Sequence, residues 1–133
     1  MNIVMLDDER ISLAVLKNHV RKLEGTRGYA FTHPTDALRW CATHEADAVI
    51  IDFMMHEMDG LEFVEHFRRL RGKADVPIIM VTGSRDDQLR SRALAAGVTA
   101  FLTKPLDVAA LRERLSVLLA VRAQQKTPVQ VAW

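Results

Sequence analysis

Residues 46–60 read Ala46-Asp47-Ala48-Val49-Ile50-Ile51-Asp52-Phe53-Met54-Met55-His56-Glu57-Met58-Asp59-Gly60. Val49, Ile50 and Ile51 form a continuous apolar run, too short for a helix and β-branched throughout. Such a run fits a strand covered on both faces, as in a parallel sheet. Asp52 ends the run, and a turn-prone stretch closes on Asp59-Gly60. A carboxylate placed directly after a buried strand is costly unless something uses it. In open α/β sheets ligands bind beyond the carboxyl ends of the strands, which is where Asp52 falls.

Working outward, residues 2–6 form a second buried strand, again running into acid at Asp7-Asp8-Glu9. Residues 11–23 carry Ile11, Val15, Leu16, Val20 and Leu23 at helical spacing, and Gly25 stops them. Residues 29–32 are short and strand-like. Pro34 suits the first position of a helix that runs to about His44, with Ala37, Leu38 and Cys41 facing inward. After the central strand, residues 61–70 predict a helix with Leu61, Val64, Phe67 and Arg68 spaced around it. Residues 78–81 are a fourth buried strand ending in Thr82-Gly83-Ser84, followed by a helix over 86–96 that Gly97 terminates. Residues 100–103 are a fifth strand ending in Lys104-Pro105. Asp107 caps a last helix whose buried face is Val108, Leu111, Leu115, Leu118 and Leu119, expected to end near Ala123. Residues 1–123 are therefore expected to be one domain, and 124–133 a C-terminal tail or linker in which Val129, Val131 and Trp133 alternate.

Strand and helix alternate five times, and right-handed crossovers then give an α/β doubly wound parallel sheet with helices on both faces. With 133 residues the chain is too short for two mononucleotide-binding halves. The flavodoxin-like (βα)5 arrangement, strand order 2-1-3-4-5, fits best, and its switch point lies between strands one and three. Those two strands end in Asp7-Asp8 and in Asp52. A net charge of +1, from 18 basic and 17 acidic residues, argues for no nucleic-acid or membrane partner. The single cysteine, Cys41, cannot form an internal disulfide, and the five histidines show no short metal-ligand spacing. No apolar stretch reaches membrane-spanning length and strand-like residues begin at Asn2, so a cytoplasmic location is the expectation.

Bringing Asp7, Asp8 and Asp52 into one crevice creates like-charge repulsion, which raised pKa values or a bound cation would relieve. Oxygen ligands on rigid strand ends suit Mg²⁺ or Mn²⁺. Strand four brings the hydroxyl of Thr82 to the same edge and strand five brings Lys104. A carboxylate nucleophile, a divalent metal, a hydroxyl and a lysine are the parts needed to accept and hold a phosphoryl group.

The chain resembles the receiver domain of two-component response regulators over about residues 2–123. The resemblance rests on LDDE at 6–9, DFMMHEMDG at 52–60, VTGS at 81–84 and FLTKPLD at 101–107, each at the end of its own strand. It implies that Asp52 is the phosphoacceptor. Asp8, Asp52 and the backbone carbonyl of Met54 would hold Mg²⁺ directly, and Asp7 mainly through water. Thr82 and Lys104 would read the phosphoryl group, with Thr82 and Phe101 as the switch pair and the Lys104-Pro105 bond cis. The implied partners are a sensor histidine kinase or phosphotransfer protein, a downstream effector, and a second copy in a homodimer formed on phosphorylation. One departure stands out: the family usually has proline where this chain has His56, which reads here as a surface loop residue. Met54 and Ser84, flanking the site, are expected to tune the lifetime of the phosphoryl group.

Two other functions on the same architecture fit less well. A flavin binder needs a Ser/Thr/Gly-rich anion loop after strand one, and Asp7-Asp8-Glu9 would repel a cofactor phosphate. Phosphatases of the haloacid dehalogenase type need a second acid two residues after the nucleophile, where this chain has Met54. The expectation is a phosphoacceptor with slow self-dephosphorylation, not an enzyme acting on outside substrates. A non-catalytic interaction module of this fold is the alternative. HPTDALRW at 33–40 with DFMMHEMDG also looks similar to receivers that precede cyclic-di-GMP phosphodiesterase domains, so a receiver fragment controlling such an effector stays open.

Overall fold

Five strands and five helices alternate along the chain in the computed structural model, which describes residues 1–126. They are β1 (Asn2–Leu6), α1 (Arg10–Arg21), β2 (Arg27–Phe31), α2 (Pro34–Thr43), β3 (Ala48–Asp52), α3 (Gly60–Arg69), β4 (Ile78–Thr82), α4 (Asp87–Ala96), β5 (Ala100–Thr103) and α5 (Val108–Lys126). All strand pairs are parallel and the sheet order is β2-β1-β3-β4-β5, the order expected.

Alternation along each strand divides the core into two layers. Val4, Leu6, Val49, Ile51, Ile78 and Met80 face α2, α3 and α4. Ile3, Met5, Ile50, Ile79 and Val81 face α1 and α5. Every residue of β3 and β4 is buried, which is why these segments run apolar up to their last residues, Asp52 and Thr82, instead of alternating.

Helix ends follow local chemistry. Asp59 caps α3 by accepting from the Glu62 amide, and Asp86 caps α4 through the Gln88 amide. Gly97 ends α4 at φ 111°, and a Cβ there would also stand 2.8 Å from Arg68 Nε. Asp107 accepts from the Ala109 and Ala110 amides to open α5.

Four expectations need correction. The buried face of α1 is Leu13, Leu16 and Val20, while Ile11 and Val15 are 75% and 50% exposed. Strand β2 begins at Arg27, because the Arg27 amide bonds the Met1 carbonyl and Gly28 lets Met5 of β1 come close. Phe63 joins Leu61, Val64 and Phe67 as a fully buried residue of α3. Helix α5 continues past Ala123 to Lys126, because Arg122 and Lys126 both reach the buried Asp47. Residues 127–133 of the expected tail, with Val129, Val131 and Trp133, lie outside the described residues.

Candidate functional site

In-register parallel pairing carries the ends of four strands to one edge of the sheet. Leu6 pairs with Ile51 and Thr82 with Thr103, so Asp7, Asp52, Thr82 and Lys104 all lie at or just past a carboxyl end. The β3–α3 loop folds back on this edge, closed by a hydrogen bond from the Gly60 amide to the Phe53 carbonyl. Glycine suits position 60, where a Cβ would approach Phe53 Cα to 3.0 Å and crowd the loop.

Asp7, Asp8 and Asp52 each offer a carboxylate oxygen, and these oxygens lie within 4.8 Å of one another. Asp7 and Asp52 are each 7% exposed. Lys104 Nζ donates to Asp52 Oδ2 at 3.0 Å. Asp52 Oδ1 is buried and has no hydrogen-bond partner among the described residues. An orphaned buried acceptor costs about 1–3 kcal/mol, and more when charged. Burial pushes the Asp7 carboxyl above its usual range, and the nearby Asp52 charge adds to that, against the hydrogen bond from the Glu9 amide. Crowded hard oxygens with one lone acceptor fit a divalent cation such as Mg²⁺ or Mn²⁺.

Thr82 is 2% exposed, and its Oγ1 accepts from the Ser84 amide at 3.1 Å, which leaves the hydroxyl proton for another acceptor. The Lys104-Pro105 peptide is cis. Phe101 is half-buried against the α2–α4 layer, and the Arg90 guanidinium carbon lies 5.7 Å from its ring centroid. The Arg90 Nε is itself buried and unpartnered among the described residues. Met54 is 70% exposed at the mouth of the site. On the other side a cavity of about 360 Å³ is lined by Ile11, Val15, Pro105 and Leu106 and ends on Asp52 and Lys104.

The structure thus brings carboxylate oxygens of Asp7, Asp8 and Asp52 within 4.8 Å of one another and Lys104 onto Asp52, with Thr82 on the neighbouring strand end. Sequence reasoning missed the place of His56. Its ring is 95% exposed, as a loop residue's should be, yet its amide N and its Nε2 lie 3.1 Å and 3.3 Å from Asp8 Oδ2. The usual proline has no N–H to make the first of these contacts. That substitution was the available signal, but a contact spanning 48 residues of sequence is invisible without the fold.

A 2-1-3-4-5 parallel sheet that gathers three aspartates, a threonine and a lysine at one edge is the architecture of a two-component receiver. The chain belongs to the response regulator receiver domain family, whose profile matches residues 3–116. It is 39% identical over 133 residues to the cyclic di-GMP phosphodiesterase response regulator RpfG of Xanthomonas campestris pv. campestris (strain 8004), covering 99% of this chain and 35% of that protein. It is 32% identical over 120 residues to a chemotaxis protein CheY homolog of Campylobacter jejuni subsp. jejuni, covering 90% of this chain and 92% of that one. The CheY-like receiver domain structure from Methanospirillum hungatei JF-1 superposes with a TM-score of 0.85 at 23% identity, over 93% of this chain and 97% of that one. The chain thus spans about a third of RpfG's length. As a receiver it is a phosphoacceptor, not a multiple-turnover enzyme. No helix among the described residues is long and apolar enough to cross a membrane.

Proposed function

We propose that Asp52 is the residue that accepts the phosphoryl group, with Asp8, Asp52 and the Met54 carbonyl holding Mg²⁺ or Mn²⁺ and Asp7 acting mainly through water. The observation that carries this reading is the lone Asp52 Oδ1 beside two further carboxylates, with Lys104 on the other oxygen. The metal, when bound, supplies positive charge against the phosphoryl oxygens. An Asp52 oxygen attacks phosphorus, an O–P bond forms, and the P–N bond to the donor histidine breaks, its electron pair leaving with the imidazole. Lys104 exchanges its bond to Asp52 for one to a phosphoryl oxygen. Thr82 donates its hydroxyl proton to another, which draws it toward Asp52 and opens space behind it for the Phe101 ring. Phosphorylation takes the Asp52 side chain from about −1 to nearly −2, enough to bias a two-state element by a few kcal/mol.

The donor is a histidine kinase or phosphotransfer protein in the cytoplasm. Ile11 and Val15, exposed beside the phosphoacceptor, with Pro105 and Leu106 give it an apolar surface to dock on. Output runs through α4, β5 and α5 to an effector or a second copy of the chain. The likeness to RpfG, of which this chain matches only 35%, favours an effector of the cyclic-di-GMP phosphodiesterase kind. Beryllofluoride with Mg²⁺, a mimic of the phosphoryl group on Asp52, tests the reading. Amide NMR signals of Thr82, Phe101 and residues 87–96 should shift. In Thr82→Ala the shift near Asp52 should persist and that at Phe101 shrink. No change on adding beryllofluoride to the wild type would overturn the reading.

A further inference from the structure

The β3–α3 loop, residues 53–59, carries the Met54 carbonyl proposed as a metal ligand, and it contains no proline to fix a φ angle. The Met54 side chain is 70% exposed. Met55 and Met58 pack against the core below, but several rotatable bonds make methionine a yielding anchor. At its far end the loop is fixed by Asp59, the cap of α3. Its middle is gripped from outside, by two side chains at the start of α2. Glu57 Oε1 lies 2.9 Å from His33 Nδ1, and Glu57 Oε2 accepts from the Thr35 hydroxyl at 3.3 Å. A carboxylate only accepts, so His33 Nδ1 is the donor and both oxygens of Glu57 are engaged. The platform is firm, because His33 is the N-cap of α2 and the buried Pro34 is its first residue. The positive end of that helix also favours the Glu57 charge.

We propose that Glu57 is a positioning residue of the phosphorylation site. Clasped by His33 and Thr35, it restrains the loop that carries the Met54 carbonyl, so that less order has to be imposed when Mg²⁺ binds. A ligand restrained before the ion arrives loses less freedom on binding, and affinity rises by that difference. The side chains of His33 and Glu57 are 58% and 42% exposed, so the clasp is a modest device, worth about two- to fivefold in Mg²⁺ affinity. The His56 amide, bonded to Asp8, is a second hold on the same loop. The inference rests on the proposed metal site with Met54 as a ligand, and adds residues outside it that set its affinity.

Calorimetric titration of Mg²⁺ into the wild type, His33→Ala, Thr35→Val, Glu57→Ala, the double variant His33→Ala with Glu57→Ala, and Asp52→Asn tests it. Backbone order parameters of residues 53–58, from NMR relaxation of the metal-free protein, are the second readout. His33→Ala and Thr35→Val leave the Glu57 charge in place, so electrostatics alone predicts no loss of Mg²⁺ affinity from either. The clasp predicts a loss of about two- to fivefold in His33→Ala and a smaller one in Thr35→Val. The double variant should bind no more weakly than Glu57→Ala alone, since one contact cannot be lost twice. Loop order parameters should fall in the same variants. General destabilisation of the fold would lower the melting temperature without changing the Mg²⁺ affinity of folded protein. Unchanged affinity in both His33→Ala and Thr35→Val overturns the inference, whether or not the loop loosens, and a loss confined to Glu57→Ala would mark a plain charge effect. If the wild type binds Mg²⁺ no more tightly than Asp52→Asn, the metal reading itself fails and takes this inference with it.

Discussion

Asp7 shows what holding an acid at this edge costs. Burial raises its pKa, so the folded state resists the ionised form. That cost is fully present above the folded pKa and disappears below the unfolded value of about 4. In metal-free protein Asp7→Asn should therefore raise the melting temperature at pH 7, with the gain shrinking as pH falls toward about 4. Added Mg²⁺ should stabilise the wild type more than the variant. Arg90 is the second residue with a defined consequence. Phe101 has no hydroxyl to hold it toward water, but the Arg90 guanidinium lies over its ring. A contact of this kind contributes about 0.5–1 kcal/mol. Arg90→Ala should shift the Phe101 equilibrium by roughly two- to fivefold, read from its NMR line positions with and without beryllofluoride. The strand-end acids, Thr82 and Lys104 were legible in the sequence because each ends an apolar run. Arg90 and His56 were not, because their contacts come from folding and leave no local pattern.

Helix α5 is the element where sequence and structure part most clearly. Its apolar spacing fades after Leu119, so periodicity ends it near Ala123, yet it continues through Lys126. The reason lies at the opposite end of the sheet from Asp52. Asp47, 2% exposed, accepts from the Asn2 amide at 2.7 Å and from Lys126 Nζ at 2.9 Å, with Arg122 Nε at 3.4 Å. Burial would raise the Asp47 pKa, but these hydrogen bonds outweigh it and hold the carboxyl below its usual range. Its own bonds to Asp47 and Glu45 push Lys126 up. Asp47→Ala strands the Asn2 amide and takes one of several partners from Arg122, and should cost about 1–3 kcal/mol in urea unfolding. A depressed carboxylate pKa gives stability that is present above about pH 4 and lost as pH falls through the folded value. The gap between wild type and Asp47→Asn should accordingly be widest near neutrality and close in acid. Helix α1 erred for a related reason. Its spacing admits two faces, and the choice of Leu13 over Ile11 and Val15 is made by the sheet below it, not by the helix.

At the scale of the whole molecule, the parallel order collects at one edge what the chain scatters over nearly a hundred residues. The two-layer core fixes that edge, since β3 and β4 are buried along their full length. The architecture was legible because five apolar runs alternate with five amphipathic ones, and few topologies accommodate that pattern. Phosphoryl acceptance at Asp52 is the claim on which the rest depends. Its most direct test is to incubate the wild type and Asp52→Asn with acetyl phosphate, with and without Mg²⁺, then reduce with borohydride and map the peptides. Borohydride converts an aspartyl phosphate to homoserine and so marks the residue that carried it. The expected result is homoserine at position 52 in the wild type, dependent on Mg²⁺, and none anywhere in Asp52→Asn. Equal labelling of Asp52→Asn, or homoserine at Asp7 or Asp8 in the wild type, would contradict it.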